Sequence, residues 1–279
     1  MKHNEETLEG HVYDSARRGS LALEELRGVF QYRDFIYQLV NRDIVARYKR
    51  SVLGVFWTLL NPLGTMIVLT VVFSQLFHSV RGYPTYVLSG LIAWNFFAQT
   101  TNSSMQQIVW GSTLLQRIYM PRTIFAVSAI GTGLVNLILS LIPLIVLMLA
   151  TGMQLNWILI FLPYAILLLT AFSLGLGLLL SAITVYFPDV AEMYQVALTT
   201  WLYLTPVIYP PEIIPDGYRR LILELNPMYY LIQIFRIPIF EGVIPSWQIV
   251  TTGTCIALFT LVLGWVVFSN KADVFTYRT

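Results

Sequence analysis

Residues 42–64 read RDIVARYKRSVLGVFWTLLNPLG, and they decide the architecture. Four basic residues, Arg42, Arg47, Lys49 and Arg50, fall within nine positions. Ser51 then opens a run that stays uncharged as far as His78 and Arg81. A bilayer core takes about 20 apolar residues as a helix, and 52–77 is long enough. Lys and Arg collect on the cytoplasmic side of such spans. The junction therefore reads as the cytoplasmic start of a first membrane span, with its positive anchor beside it.

Composition agrees. Of 279 residues 56% are hydrophobic and 11% charged, with mean hydropathy +0.67, whereas soluble domains carry about 25% charged residues. The chain is an integral membrane protein, all-α. Six spans are predicted, at 52–77, 86–110, 123–150, 157–185, 193–209 and 247–269, and none contains Asp, Glu, Lys or Arg. With six spans both termini lie on one side. That side holds thirteen Lys and Arg, and the other holds four, Arg81, Arg219, Arg220 and Arg236. The positive-inside rule places both termini in the cytoplasm.

Upstream, Leu26, Val29, Phe30, Ile36, Tyr37, Val40 and Ile44 recur at helical spacing with polar residues between them. The spacing predicts an amphipathic helix over 26–48, lying in the cytoplasmic interface. Residues 1–25 are expected to be mobile and carry no cleavable signal peptide. The 111–122 loop, GSTLLQRIYMPR, is a short cytoplasmic link with an apolar face and two arginines. The 210–245 segment holds six prolines yet is largely apolar and aromatic over 218–240. It is too broken to span and too apolar for a free loop, so it is predicted to form short re-entrant helices between spans five and six, on the extracytoplasmic side.

What is missing narrows the chemistry. Ion-coupled carriers use ionisable groups at membrane depth, and the six spans have no acid or base, which leaves only carbonyl-coordinated sodium sites. The three lysines, Lys2, Lys49 and Lys271, close no phosphate-binding G-x-x-x-x-G-K-[ST] loop. The histidines His3, His11 and His78 lack metal-ligand spacing, and Cys255 stands alone in an apolar stretch, so no metal or disulfide framework is expected. Asp189 and Glu192 form a cytoplasmic acidic pair, which reads as a helix start rather than a catalytic dyad. No catalytic residue is assigned. Any energy for transport comes from another polypeptide.

The residues Arg42, Asp43, Arg47, Tyr48, Ser51, Leu53, Gly54, Trp57, Asn61 and Pro62 resemble the R-D-x-x-x-R-Y-x-x-S-x-L-G-x-x-W…P pattern of the membrane subunit of ABC-2 type polysaccharide exporters. LLQRIYMPR (114–122), YLTPVIYP (203–210) and NPMYYLIQIFR (226–236) are similar to the family's coupling helix, fifth-span ending and outer re-entrant helices. Pro188, between Phe187 and Asp189, departs from the arginine often found there. The resemblance covers nearly all of the chain after residue 25. It implies an ABC-2 type transmembrane domain over 26–279 in the bacterial cytoplasmic (inner) membrane. This domain would be a permease that pairs as a homodimer above two copies of an ABC ATPase. The cargo would be a lipid-linked polysaccharide such as O-antigen, capsule or teichoic acid. ATP and Mg would be bound by the partner and no cofactor by this chain. An ABC-2 drug or small-lipid effluxer is the alternative, and an intramembrane glycosyl- or acyltransferase the more distant one.

On that resemblance Leu115, Arg117, Tyr119 and Arg122 are the expected ATPase-coupling residues. Sugar rings stack on aromatic faces, so Trp57, Trp94, Phe97, Trp201 and Tyr203 are candidates for the substrate pathway, with an interfacial aromatic belt as the other reading. Arg47, Lys49 and Arg50 lie at headgroup level, where guanidinium forks suit phosphate oxygens. The same charges also serve as a topology anchor. The second span carries Asn95, Gln99, Thr100, Thr101, Asn102, Ser103, Ser104, Gln106 and Gln107. These either bond glycan hydroxyls or tie helices together.

Overall fold

A computed structural model describes residues 21–49, 56–77, 80, 82–110 and 120–271. Among them every regular element is helical: α1 Leu21–Gln31, α2 Arg33–Tyr48, α3 Phe56–Phe73, α4 Tyr83–Trp110, α5 Thr123–Ala150, α6 Leu162–Thr184, α7 Val190–Leu204, the four-residue α8 Asp216–Arg219, α9 Pro227–Phe240 and α10 Trp247–Lys271. A 3₁₀ turn, Trp157–Phe161, runs directly into α6, and a π turn, Arg220–Glu224, follows α8. Three of these helices, Thr123–Ala150, Trp157–Thr184 and Trp247–Lys271, are long and apolar enough to cross a membrane. In α3 the apolar portion, Leu60–Phe73, is shorter. α4 has 28 residues, about 42 Å at 1.5 Å per residue, but its second half is polar.

The long helices pack around α4. From 85 to 97 each residue of α4 is buried except Asn95. α6 and α10 share the most extensive contact, and glycine explains it. A Cβ on Gly175 would lie 2.4 Å from the Thr260 carbonyl oxygen, and one on Gly264 would lie 2.0 Å from the Gly175 carbonyl oxygen. Backbone therefore meets backbone, as small residues permit between membrane helices. The outer faces stay apolar and exposed, for example Ile142 and Val146 on α5 and Phe259 and Val262 on α10. Hydrocarbon is the solvent such faces need.

The segment expected as one helix over 26–48 is two helices that start earlier, at Leu21, and meet at Tyr32 (φ −96°, ψ 22°). Tertiary contacts hold them at different angles. Trp265 Nε1 donates to the Ala22 carbonyl (3.0 Å), and Thr123 Oγ1 donates to Glu25 Oε2 (2.6 Å). Gly28 lies against Pro121, where a Cβ would meet the ring at 2.2 Å. α2 instead packs on α5, with Leu39 buried beside Ile124 and Phe125. Amphipathicity is strong in α1 and almost absent in α2, because α2 carries polar side chains toward protein as well as toward water.

The end of α7 is built by carbonyl capture. Pro206 removes an N–H from the helix ladder, and residues 206–209 leave four consecutive carbonyls to satisfy. Arg236 donates Nη1 to Pro206 and Nη2 to Val207, both at 2.8 Å. Tyr83 Oη donates to Ile208 (2.9 Å), and Tyr86 Oη donates to Tyr209 (3.0 Å). The guanidinium also stacks 3.8 Å over the Tyr86 ring. Arg236, counted from sequence as an outer loop charge, is thus fully buried at 2% exposure. Carbonyls solvate the guanidinium in place of water.

Candidate functional site

α4 sorts its polar residues by direction. Thr100, Thr101 and Ser104 face the bundle and donate back to their own helix, to Phe96, Phe97 and Thr100 carbonyls at 2.7–2.8 Å. Thr101 Oγ1 also lies 2.8 Å from Tyr194 Oη, which ties α7 to α4. The opposite stripe is all amide: Asn95, Gln99, Asn102 and Gln106, at spacings of four, three and four. That is one face of a helix, and it rises about 16 Å from Gln106 to Asn95.

The stripe faces two adjoining open cavities. The upper one, about 480 Å³, is lined by Arg47, Asn61, Asn95, Gln99, Asn102 and Asn136 among others. The lower one, about 310 Å³, adds Arg42, Asp43 and Gln106 and shares Arg47, Gln99 and Gly133 with the first. Gly133 sets the floor: a Cβ there would stand 2.1 Å from Thr100 Cγ2, so α5 lies as close to α4 as its backbone allows. The result is a groove between α2, α3, α4 and α5 that sets amide side chains among apolar ones such as Ile92, Phe96 and Leu137, with Leu198 of α7 on its rim.

Two hydrogen-bonded chains hold the groove in shape. Gln107 Nε2 donates to Asp43 Oδ2 (2.8 Å), and Ser128 Oγ donates to Gln107 Oε1 (3.0 Å), joining α2, α4 and α5. Arg42 pairs with the other Asp43 oxygen at 2.8 Å. Deeper in, Gln99 lies between Asn136 (3.3 Å) and Arg47. With its amide oxygen turned to the guanidinium, it accepts from Arg47 Nη1 at 3.0 Å and Nη2 at 3.1 Å, in place of the bond from Asn136 Nδ2. No carboxylate among the described residues lies within ion-pair range of Arg47, whereas Arg42 is neutralised by Asp43. Asn61 and Asn95 are exposed and make no side-chain hydrogen bond to any described residue. A polar group left unpaired in hydrocarbon costs about 2–7 kcal/mol, so these amides need water or a polar ligand.

The sequence-predicted residues fall in different places. Trp94 and Phe97 are buried and form a cluster with Trp201, which is half-buried, and Phe172. Ring centroids stand 5.5 Å apart for Trp94–Phe97, 6.1 Å for Trp94–Trp201, 5.3 Å for Phe97–Trp201 and 5.6 Å for Phe97–Phe172. Trp201 Nε1 donates to Asn226 Oδ1 (2.9 Å), and the Asn226 amide caps α9 through Met228 N. These rings join α7 to the bundle. Tyr203 stands on the open face at 64% exposure. Arg47 and Lys49 are exposed, and Arg47 enters the groove. Arg122 is buried at the start of α5. Leu115, Arg117, Tyr119, Arg50 and the side chain of Trp57 lie outside the described residues. Sequence reasoning missed Asn136 and Ser140 in the groove, the Asp43–Gln107–Ser128 chain and the Arg236 clamp. The four-three-four amide spacing was the available signal for the groove.

Residues 35–240 match the family model described as ABC-2 type transporter. The chain is 30% identical over 252 residues to the O-antigen export system permease protein RfbA of Myxococcus xanthus, covering 90% of this chain and 97% of that one. It is 21% identical over 240 residues to the protein of the same name from Klebsiella pneumoniae, covering 85% and 92%. It is 23% identical over 240 residues to the polysialic acid transport protein KpsM of Escherichia coli, covering 83% and 91%.

Proposed function

The chain belongs to the ABC-2 type transporter family, and from that premise we propose that it is the permease of an ATP-driven exporter of a lipid-linked polysaccharide. The observation that carries this reading is the likeness to an O-antigen export permease over 97% of that protein's length. The engine is a separate ABC ATPase that binds ATP and Mg, since no phosphate-binding loop occurs in this sequence. The cargo is an O-antigen, capsule or teichoic acid chain, carried across the bacterial inner membrane.

In this reading α3, α4, α5, the 157–184 helix, α7 and α10 are six crossings with both termini cytoplasmic. The 210–245 segment re-enters from the outside. The permease works as a homodimer. Support comes from α3 and α7, whose exposed faces mix apolar residues with Asn61, Gln195, Thr199 and Tyr203. Such faces suit neither pure lipid nor pure water, and a second copy enclosing a wet pathway meets both needs. Arg47, with Lys49 and Arg50, seats the pyrophosphate of the lipid carrier. The 111–122 segment, through Leu115, Arg117, Tyr119 and Arg122, receives the push of the ATPase.

The test is to purify the tagged subunit from its native membrane in mild detergent. A stoichiometric partner with a phosphate-binding loop, whose ATPase activity falls when Arg117 and Tyr119 become Ala, is expected. ATP-dependent movement of glycan into proteoliposomes completes it. A solitary protein, or a complex that moves small amphiphiles but no glycan, overturns the reading.

A further inference from the structure

The amide stripe has a property that helix-joining does not explain. Gln99 is bonded to Arg47 of α2 and Gln107 to Asp43 and Ser128, and Gln106 donates to Asn102 at 3.5 Å along the stripe, but Asn95 makes no side-chain hydrogen bond to any described residue and faces the cavity. Asn95 is the one exposed residue between 85 and 97. Across the groove, Asn61 of α3 and Asn136 and Ser140 of α5 face the same space. An amide offers a donor pair and an acceptor, which matches a vicinal diol. Several amides at one-turn intervals match a sugar ring better than they match a lipid tail or an inorganic anion. At the lower end stands Arg47, a guanidinium with no carboxylate partner among the described residues and held in the groove by Gln99.

We propose that this groove, within a single protomer, is a headgroup-reading site. Arg47 takes the phosphate of a lipid-linked saccharide, and Asn95, Asn61, Asn102 and Asn136 read the hydroxyls of its first sugars. This rests on the exporter reading and deepens it by assigning recognition of the reducing-end sugar to the permease. The geometry fits the chemistry. Gln99, which touches Arg47, is one helical turn from Asn95, about 6 Å along the axis, the reach of a pyrophosphate to the ring it carries. A 480 Å³ cavity lies within the range of about 300–1,000 Å³ for small-molecule sites. Two copies of the chain hold two such sites. Selection of the headgroup is thereby separate from passage of the polymer.

The site is tested on the intact permease–ATPase complex in lipid nanodiscs, with two probes: undecaprenyl pyrophosphate, and the same lipid bearing one N-acetylhexosamine. Asn95→Leu weakens binding of the sugar-bearing probe about fivefold for each hydrogen bond lost and leaves the sugar-free probe unchanged. Arg47→Ala weakens both. Asn95 is exposed, so its replacement does not disturb the core. An independent arm uses Asn95→Cys in a Cys255→Ala background, with a charged methanethiosulfonate reagent that needs an ionised thiol in water. Asn95→Cys is labelled at least about tenfold faster than Val68→Cys on the exposed apolar face of α3, and the sugar-bearing probe protects it. If Asn95→Leu weakens both probes equally or neither, or if Asn95→Cys stays unlabelled, the hydroxyl-reading site is overturned while the exporter reading stands. If wild-type complex binds neither probe, both are overturned.

Discussion

Replacing Arg236 tests the logic of the fold most directly. Its guanidinium is buried, donates to two carbonyls at 2.8 Å, and stacks on Tyr86 at 3.8 Å. Hydrogen bonds to charged groups contribute about 1.5–3 kcal/mol each, and a desolvated cation–π contact about 2 kcal/mol. Offsetting these is the cost of keeping a charge away from water. The net loss expected for Arg236→Ala is about 4 kcal/mol, because two buried carbonyls also lose their donors. Scaled as for soluble chains of 150–250 residues, that lowers the melting midpoint by roughly 8–16 °C. Arg236→Lys keeps the charge but reaches one carbonyl at most, so it should recover about half of the loss. Gly90→Ala offers a check from the other side. Its Cβ would lie 2.0 Å from Nη2 and 3.0 Å from the Val207 oxygen, displacing the fork. Once Arg236 is Ala, adding Gly90→Ala should cost little more, a non-additivity expected of residues in one contact. The assay is size-exclusion chromatography of detergent-solubilised protein after heating. A shift below about 2 °C for Arg236→Ala, or full additivity with Gly90→Ala, would refute the clamp.

Other expectations concern the joints between helices. Gly175→Ala drives a Cβ into the backbone of Thr260, which no rotamer change relieves, whereas Gly64 has nothing within 4 Å. Gly175→Ala should therefore abolish monodisperse expression while Gly64→Ala leaves it intact. Asp43→Ala removes the acceptor of Gln107 and should cost about 1–3 kcal/mol, read as a lower midpoint that Asp43→Asn partly restores. Trp265→Phe deletes the bond to the Ala22 carbonyl and should release α1 by about 1 kcal/mol. Limited proteolysis near residues 21–31 would show it as faster cleavage.

Uncharged apolar runs of about 20 residues make the long helices legible, because a single span in hydrocarbon must satisfy its own backbone as a helix. What the pattern does not carry is direction around each helix. Asn95 and Thr100 look alike as polar residues in an apolar span, yet one faces a groove and the other bonds its own backbone. Only the neighbours decide, and Gly133, 33 residues beyond Thr100, is one of them. The burial of Arg236 was not legible for the same reason, because the carbonyls at 206–209 that accept its donors and those of Tyr83 and Tyr86 come from a remote turn. Conversely, Trp94 and Phe97 are bulky enough to suggest sugar stacking, but bulk also fills a core, and here their rings pack on Trp201 and Phe172.

The distribution of packing says which parts hold still. α6 and α10 meet backbone to backbone at Gly175 and Gly264, and α4 is buried through most of its first half. α7, by contrast, buries only Tyr194 and Leu198 along its length and is tied by one hydroxyl pair, one indole cluster and the Arg236 clamp at its end. α3 also touches few elements and carries Pro62 on the groove wall. Segments with few buried contacts open at the lowest cost. Of the helices around the groove, α3 and α7 are therefore the ones free to move, while α4 and α5 form its rigid wall. Residues 111–122 join the ends of α4 and α5, the two helices that carry the amides of the groove wall. A displacement of the facing ends of α4 and α5 reaches the groove without crossing the contact between α6 and α10. α2, joined to α4 through Asp43 and Gln107, would move with them, whereas α1 is tied to α10 through Trp265 as well as to α5 through Glu25.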